Sequence, residues 1–134
     1  MDIDTFMACC SANYQRMHQL ITPSYRVGDV HTWPMGNAGQ LKIQILEKQP
    51  HTDIIALSYK TVKNSKWLND LDLEIKRYHD ARLVEVSAAK DLDGKMQQFS
   101  HPSANKQFPY WEKWQINALL SDILTSCLNQ RAKQ

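Results

Sequence analysis

Residues 71–88 read Leu71-Asp-Leu-Glu-Ile-Lys-Arg-Tyr-His-Asp-Ala-Arg-Leu-Val-Glu-Val-Ser-Ala88. On both sides of a central Tyr-His-Asp-Ala segment, apolar residues alternate with polar ones; they are Leu71, Leu73 and Ile75, then Val84, Val86 and Ala88. A period of two is typical of strands with one buried face. Residues 71–88 therefore predict a β-hairpin, around which the rest of a sheet can be arranged.

The register of this hairpin depends on the length of its loop. With two loop residues, the predicted cross-strand pairs are Tyr78–Ala81, Ile75–Val84 and Leu73–Val86, which bring the apolar residues to one face. Two-residue hairpins prefer Asn-Gly or Asp-Gly, whereas this loop would be His79-Asp80. A four-residue loop is therefore the open alternative.

The turn and its flanking strands carry the most suggestive polar cluster in the chain, which consists of Arg77, Tyr78, His79, Asp80, Arg82 and Glu85. The two-residue loop also sets Glu74 opposite Glu85 and Arg77 opposite Arg82, and opposed like charges are mildly destabilising. One interpretation is a site that binds a ligand or moves a proton. The other is the solvated face of an antiparallel sheet, which such sheets normally show.

The rest of the chain predicts further strands. Leu41–Lys48 and Thr52–Lys60 form a second hairpin, in which Leu41, Ile43 and Ile45 pair with Tyr59, Leu57 and Ile55. Tyr25–Val27 is expected to be a short edge strand and residues 33–37 a loop, because of their proline, glycine and asparagine. An Asp93-Gly94 turn predicts a last strand at Met96–Ser100.

Two helices complete the prediction. Ile3–Ile21 carries an apolar stripe at Phe6, Cys10, Tyr14, Met17 and Ile21, and Tyr110–Arg131 carries a broader one at Ile116, Leu119, Leu120, Ile123, Leu124, Cys127 and Leu128. We therefore expect one α+β domain over residues 1–134. Its antiparallel meander sheet of four to five strands packs with an N-terminal and a C-terminal helix.

The composition is that of an ordinary globular protein, with 43% hydrophobic and 22% charged residues and a formal charge of +2. No apolar run approaches the ~20 residues of a membrane span, and the acidic N-terminus is unlike a signal peptide. We therefore expect a cytosolic protein without a membrane partner, in which Cys9, Cys10 and Cys127 are reduced thiols.

Several chemistries lack their sequence signatures. The glycines at 28, 36, 39 and 94 form no phosphate-binding loop, and the five histidines and three cysteines have no zinc-motif spacing. We therefore predict no cofactor and no metal. A site assembled from distant residues stays open, and its members would be His79, Asp80, Glu85 and His101.

Particular residues of the chain match a known pattern. They are Tyr78-His79-Asp80-Ala81 with Glu85-Val86, Glu112-Lys113, Gln115-Ile116-Asn117, Leu120, Asp122, Leu124 and Cys127-Leu128, and, more loosely, Asn13 and Leu20. Through them the chain resembles a small bacterial family of unknown function, the one that includes the enterobacterial YqiB protein. The resemblance covers essentially the whole chain, although the loop at His101–Asn105 is two residues longer here. It implies no catalytic role.

The expected function is a cytosolic binding or regulatory module that recognises a protein or a small anionic ligand near Tyr78–Ala81. One alternative is an enzyme that uses His79 as general acid or base, oriented by Asp80 or Glu85. Another is a weak nucleic-acid binder that uses Lys60, Lys63, Lys66 and Trp67.

Overall fold

The structure is a computed structural model that describes residues 3–35, 39–61, 71–90, 94–99 and 110–132. These residues form, in chain order, α1 (Ile3–Leu20), β1 (Val30–Met35), β2 (Gly39–Lys48), β3 (Thr52–Thr61), β4 (Leu71–Tyr78), β5 (Leu83–Lys90), β6 (Met96–Gln98) and α2 (Tyr110–Ala132). The strands build one antiparallel sheet in the order β1-β2-β3-β4-β5-β6. The predicted α+β class is confirmed, with six strands in place of four to five.

Both helices pack on the same face of the sheet. One buried cluster joins Tyr14, Met17 and Leu20 of α1 and Leu120, Ile123, Leu124 and Cys127 of α2 to the inward residues of the strands. The stripe predicted for α1 is buried throughout, from Phe6 to Ile21. The stripe predicted for α2 is wrong at one position, because Leu119 is 40% exposed.

The β2–β3 hairpin has the predicted register. Leu41 faces Tyr59, Ile43 faces Leu57 and Ile45 faces Ile55. Alternating burial fixed these pairs, since a slip by one residue would move every apolar side chain to the other face. Beyond Ile45 a bulge at Leu46 shifts the ladder.

The β4–β5 hairpin has a different register from the two-residue loop. Its turn has four residues, His79 to Arg82, and the ladder pairs Tyr78 with Leu83 and Ile75 with Val86. Arg82 closes the turn with φ +55°. A second register shift lies between Glu74 and Ile75.

This register removes both predicted like-charge pairs. Lys76 is the cross-strand neighbour of Glu85, so the charges at that position are opposite in sign, and Glu74 faces Ala88. Arg77 faces Val84 on the core side, while Arg82 belongs to the turn. The prediction that like charges face each other across the hairpin was therefore wrong, because the four-residue turn changes the cross-strand partner of every paired residue in β4.

Two local predictions near the sheet edges were also wrong. Tyr25–Val27 is not a strand, and Trp33–Met35 belongs to β1 rather than to the predicted loop, whose residues 36 and 37 lie outside the described residues. Pro34 is tolerated because β1 is an edge strand, where one side of the backbone has no strand to pair with. β6 ends at Gln98, and Phe99 donates its N–H to the Ser87 carbonyl over 2.7 Å and enters the core.

α2 closes the part of the β5 edge that β6 does not reach. β6 pairs only with Ala88–Lys90. Further along β5, the Val86 N–H donates to the Asn117 side-chain oxygen of α2 over 2.8 Å. The Asn117 carbonyl in turn accepts from the buried Asn13 amide of α1 over 3.3 Å. Asn13 and Asn117 therefore link both helices to the edge of the sheet.

Candidate functional site

A fully buried ion pair lies at one end of the inward face of the sheet. Asp53 of β3 faces Arg77 of β4 directly, one step beyond the apolar pair Ile55–Ile75. The Arg77 guanidinium donates from Nε over 3.0 Å and from Nη2 over 2.7 Å, both to Asp53 Oδ2. The exposed fraction of each side chain is 1%. Both charges are thus taken out of water and neutralise each other.

The third guanidinium nitrogen ties the pair to α1. Arg77 Nη1 donates to the carbonyl of Ile21, directly after α1, over 2.6 Å. Carbonyls at the C-terminal end of a helix carry partial negative charge, which a guanidinium stabilises. Arg77 therefore has a partner for each of its three nitrogens. It fixes the end of α1 against β4.

His79 extends the pair toward the surface. Its Nε2 lies 2.8 Å from Asp53 Oδ2, and its Nδ1 lies 3.2 Å from the Tyr14 hydroxyl. An ionised carboxylate only accepts hydrogen bonds, so Nε2 carries a hydrogen toward Asp53; with the ring in the tautomer that has its only hydrogen on Nε2, the Tyr14 hydroxyl donates to Nδ1. We call Tyr14, Asp53, Arg77 and His79 the histidine network. Of its side chains, His79 is 22% exposed.

The histidine network supports the turns at its end of the sheet. The His79 N–H donates to the His51 carbonyl over 2.9 Å, which joins the β4–β5 turn to the β2–β3 turn. On the surface, His51 Nδ1 lies 3.2 Å from Asp80 Oδ2, and both side chains are exposed. Arg82 is exposed as well and makes no ion pair or side-chain hydrogen bond within the described residues.

Tyr78 and Glu85 form a separate group. Tyr78 follows Arg77 on β4 and so points to the other face of the sheet. Its hydroxyl donates to Glu85 Oε1 over 3.2 Å, and Lys113 of α2 lies 3.4 Å from Glu85 Oε2. Burial and the Glu85 charge raise the pKa of Tyr78 to about 12.

The six candidates from the sequence thus divide among three places. Arg77 and His79 belong to the histidine network, Asp80 and Arg82 lie on the exposed turn, and Tyr78 with Glu85 lies on the other face of the sheet. The predicted orienting partner of His79 was wrong, because Asp53 fills that role while Asp80 and Glu85 bond elsewhere. His101 lies outside the described residues, as do Lys63, Lys66 and Trp67; Lys60 is exposed at the end of β3.

A cleft of about 290 Å³ opens at the opposite end of the strands, and its lining residues are Met35, Tyr59, Asp122, Ile123, Ser126 and Gln130. Tyr59 is six residues beyond Asp53 on β3, a distance of about 20 Å along an extended strand. The cleft and the histidine network are therefore two separate places.

The cysteines are poor nucleophiles in this fold. Burial raises the pKa of the Cys10 thiol to about 12, and it also raises the pKa of Cys9 and Cys127. All three are free thiols. Within the described part of the chain, no group of three or more His, Cys, Asp or Glu residues could hold a metal ion.

Comparison with known proteins shows that the chain matches one protein family. Residues 16–133 match the family described as "Protein of unknown function (DUF1249)". The chain belongs to this family. No curated protein and no solved structure matches it. The matched segment includes Asp53, Arg77 and His79 of the histidine network, and it begins two residues after Tyr14.

In this DUF1249 protein, sequence patterns missed Asp53 and the role of Tyr14. Asp53 occupies the position where the inward alternation of Ile55 and Leu57 would place another apolar residue. Arg77 does the same after Leu73 and Ile75. A charged residue at a period-two core position on each of two neighbouring strands was the signal that could have found the pair.

Within the described residues, no helix is both long and apolar enough to cross a bilayer.

Proposed function

We propose that this DUF1249 protein is a binding or regulatory module that recognises an anionic group at the β4–β5 turn. The group belongs to a small ligand or to a protein. The observation that carries the proposal is Arg82, an exposed arginine in the left-handed backbone region, with no partner for its guanidinium among the described residues.

The backbone conformation of Arg82 supports a binding role for its side chain. At φ +55° a glycine is free of strain, whereas a residue with a side chain costs about 1 kcal/mol. Within the described residues, no hydrogen bond or ion pair of the Arg82 side chain offsets that cost. Strained positions of this kind concentrate at binding and switch sites, where the side chain is kept for its contact with another molecule. A guanidinium suits a carboxylate or a phosphate, which it can bind through two parallel hydrogen bonds.

The turn beneath Arg82 is rigidly supported. His79 is bonded through its N–H to the β2–β3 turn and through its ring to the buried Asp53. Asp53 is in turn held by Arg77, which is anchored to α1. A binding group on a preorganised turn loses less conformational entropy when its ligand arrives. The histidine network thus serves as a platform for recognition.

The charges around the turn also favour an anion. The Asp80 carboxylate is engaged with His51, and the Asp53 carboxylate is neutralised by Arg77. Among the described residues, Arg82 is left as the unpaired charge of the turn.

An enzyme is the second candidate, because Tyr14, His79 and Asp53 follow the order of a proton donor, a base and an orienting carboxylate. Both ring nitrogens of His79 are already bonded, so a substrate would have to engage the Tyr14 hydroxyl. Tyr14 is only 9% exposed. This favours the binding module.

The test is a titration of the whole protein with inorganic phosphate and with ATP, followed by amide NMR shifts of the turn residues. We expect saturable shifts at residues 79–83 in the natural protein and none in Arg82→Ala. Lys42→Ala, which removes an exposed cation from the middle of β2, should behave like the natural protein. Equal shifts in Arg82→Ala, or shifts in none of the three proteins, would contradict recognition of small anions at Arg82.

The cytosolic location and the kinship with the bacterial YqiB group are part of the same proposal. Three free thiols, two of them buried, support a reducing compartment. The residues from Tyr78 to Val86 and from Glu112 to Leu128 support the kinship. Nucleic-acid binding near Lys60 stays a prediction.

A further inference from the structure

The cleft at the far end of the strands has the chemistry of a second binding site. Its walls are the end of β1 with Met35, the end of β3 with Tyr59, and one side of α2. On α2 the polar lining residues are Asp122, Ser126 and Gln130, each four residues after the last. Four residues advance a helix by about 6 Å, so these side chains form one polar row along the cleft.

The floor of the cleft is apolar. Met35 and Ile123 are 9% and 8% exposed, respectively, and both belong to the buried cluster of the core. A few convergent polar groups over an apolar floor are typical of small-molecule sites. With a volume of about 290 Å³, the cleft suits a compact ligand.

Two polar groups in the cleft lack partners. Among the described residues, the Asp122 carboxylate makes no ion pair or hydrogen bond, and neither does the Tyr59 hydroxyl. The backbone is shaped around that hydroxyl. A Cβ added at Gly39 would lie 2.8 Å from it and 2.9 Å from the Met35 carbonyl oxygen. Gly39 therefore leaves the room that keeps the Tyr59 hydroxyl at the wall of the cleft.

The charge of the lining decides the class of ligand. Asp122 is the one charged residue among the described lining residues, so the cleft attracts a cation and disfavours an anion. A divalent metal ion needs several oxygen ligands of higher total charge. We infer that the cleft binds a small organic cation, an amine with a short apolar body. Its ammonium group would face Asp122 and the Tyr59 hydroxyl, and its body would cover Met35 and Ile123.

The experiment compares three probes that share a phenyl-alkyl body, namely phenethylamine, 2-phenylethanol and 3-phenylpropanoate. Each is titrated into the whole protein at millimolar concentration while amide NMR shifts of Tyr59, Ile123 and Ser126 are followed. We expect the amine to bind about fivefold more tightly than the alcohol, as befits a partly exposed ion pair, and the acid to bind most weakly. Raised salt should reduce the preference for the amine.

Two variants locate the effect. Asp122→Asn keeps the shape of an exposed side chain and should make the amine and the alcohol bind equally. Asp80→Asn, which removes an exposed carboxylate from the opposite end of the strands, should leave the preference intact. Equal binding of all three probes to the natural protein would overturn the assignment of a cation. Absence of shifts at the cleft with every probe would overturn the site itself.

Discussion

Asp53 and Arg77 face each other across β3 and β4, and three hydrogen bonds from Arg77 and His79 converge on the single oxygen Asp53 Oδ2. The other carboxylate oxygen, Oδ1, is buried without a partner among the described residues. Such a pair is costly to desolvate, and its geometry determines how much of that cost is recovered. The structural role of the Asp53–Arg77 pair is to hold β3 and β4 against the end of α1.

Removal of one member of the pair should destabilise the fold strongly. Arg77→Met leaves the Asp53 carboxylate buried without its main counter-charge, at a cost of about 3–5 kcal/mol in the free energy of unfolding. Urea denaturation followed by circular dichroism measures this cost. In the double variant with Asp53→Leu, no buried charge is left, and much of the loss should be recovered. A double variant that loses the sum of the two single effects would argue against a charge-based origin.

Arg82→Gly separates stability from binding. Glycine relieves the strained backbone at φ +55°, so the free energy of unfolding should stay equal or rise by about 1 kcal/mol. Anion-induced shifts at the turn should disappear in the same variant. Arg82→Ala keeps the strain and loses the guanidinium, so it should match the natural protein in stability alone. Retained anion binding in the glycine variant would show that the turn uses other groups.

Tyr78 predicts a loss of stability at high pH. Its pKa is raised to about 12 in the folded protein, above the ordinary value of about 10 in the unfolded chain. The folded state therefore holds the phenolic proton more tightly. The stabilisation is complete below pH ~10 and is lost as the pH rises through about 12.

Denaturation midpoints measured across that pH range test this prediction. Tyr78→Phe has no proton to lose at this position and should show a shallower decline. Glu85→Gln removes a charge that raises the pKa of Tyr78 in the folded protein, so the decline should start at the same pH but end at a lower pH and be smaller. An identical decline in all three proteins would assign it to other groups.

Asn117→Ala should weaken the junction of α2 with the sheet. The Val86 N–H would lose its acceptor at a buried position, which costs about 1–3 kcal/mol. Asn129→Ala is the matched control, since Asn129 is exposed on the same helix. Hydrogen exchange of the Val86 amide should accelerate in the first variant and not in the second. Equal exchange in both would mean that the strand edge is protected by another contact.

Cys10 should resist alkylation in the folded protein. Burial raises its pKa to about 12, so almost no thiolate is present at neutral pH, and its side chain is 1% exposed. Mass spectrometry after iodoacetamide treatment should find Cys10 modified only in denaturant. Modification of Cys10 in native conditions, at the rate of an unfolded thiol, would contradict this packing.

Local alternation predicted the strands β2 to β5 and the register of β2 with β3, and it failed where a local irregularity intervened. The β2–β3 pairs followed from apolar residues at every second position as far as Ile45. In the β4–β5 hairpin, the same kind of pattern fits two loop lengths, and the structure has the longer one, with Arg82 in a left-handed conformation. Sequence preference favours glycine or asparagine at such a position, so nothing marked Arg82 in advance.

The histidine network shows a second limit. The buried stripe of α1 predicted that Tyr14 faces the sheet, but its partner His79 lies 65 residues away along the chain. No spacing rule connects a helix residue to a turn at that separation. The inward position of Arg77 was readable, since it continues the alternation of Leu73 and Ile75. A buried charge needs a buried counter-charge. Asp53 could have been identified as that partner, because it also lies at an inward position of its strand, β3.

The closure of the β5 edge by Asn117 has a consequence for how the chain is made. Synthesis proceeds from the N-terminus, so every described strand leaves the ribosome before α2, and Asn117 follows Val86 by 31 residues. During that interval, part of β5 is an open strand edge, able to pair with the edge of another nascent chain. This exposure ends when α2 packs against β5. The last helix therefore completes the core and also prevents the nascent chain from pairing with the strand edges of other chains.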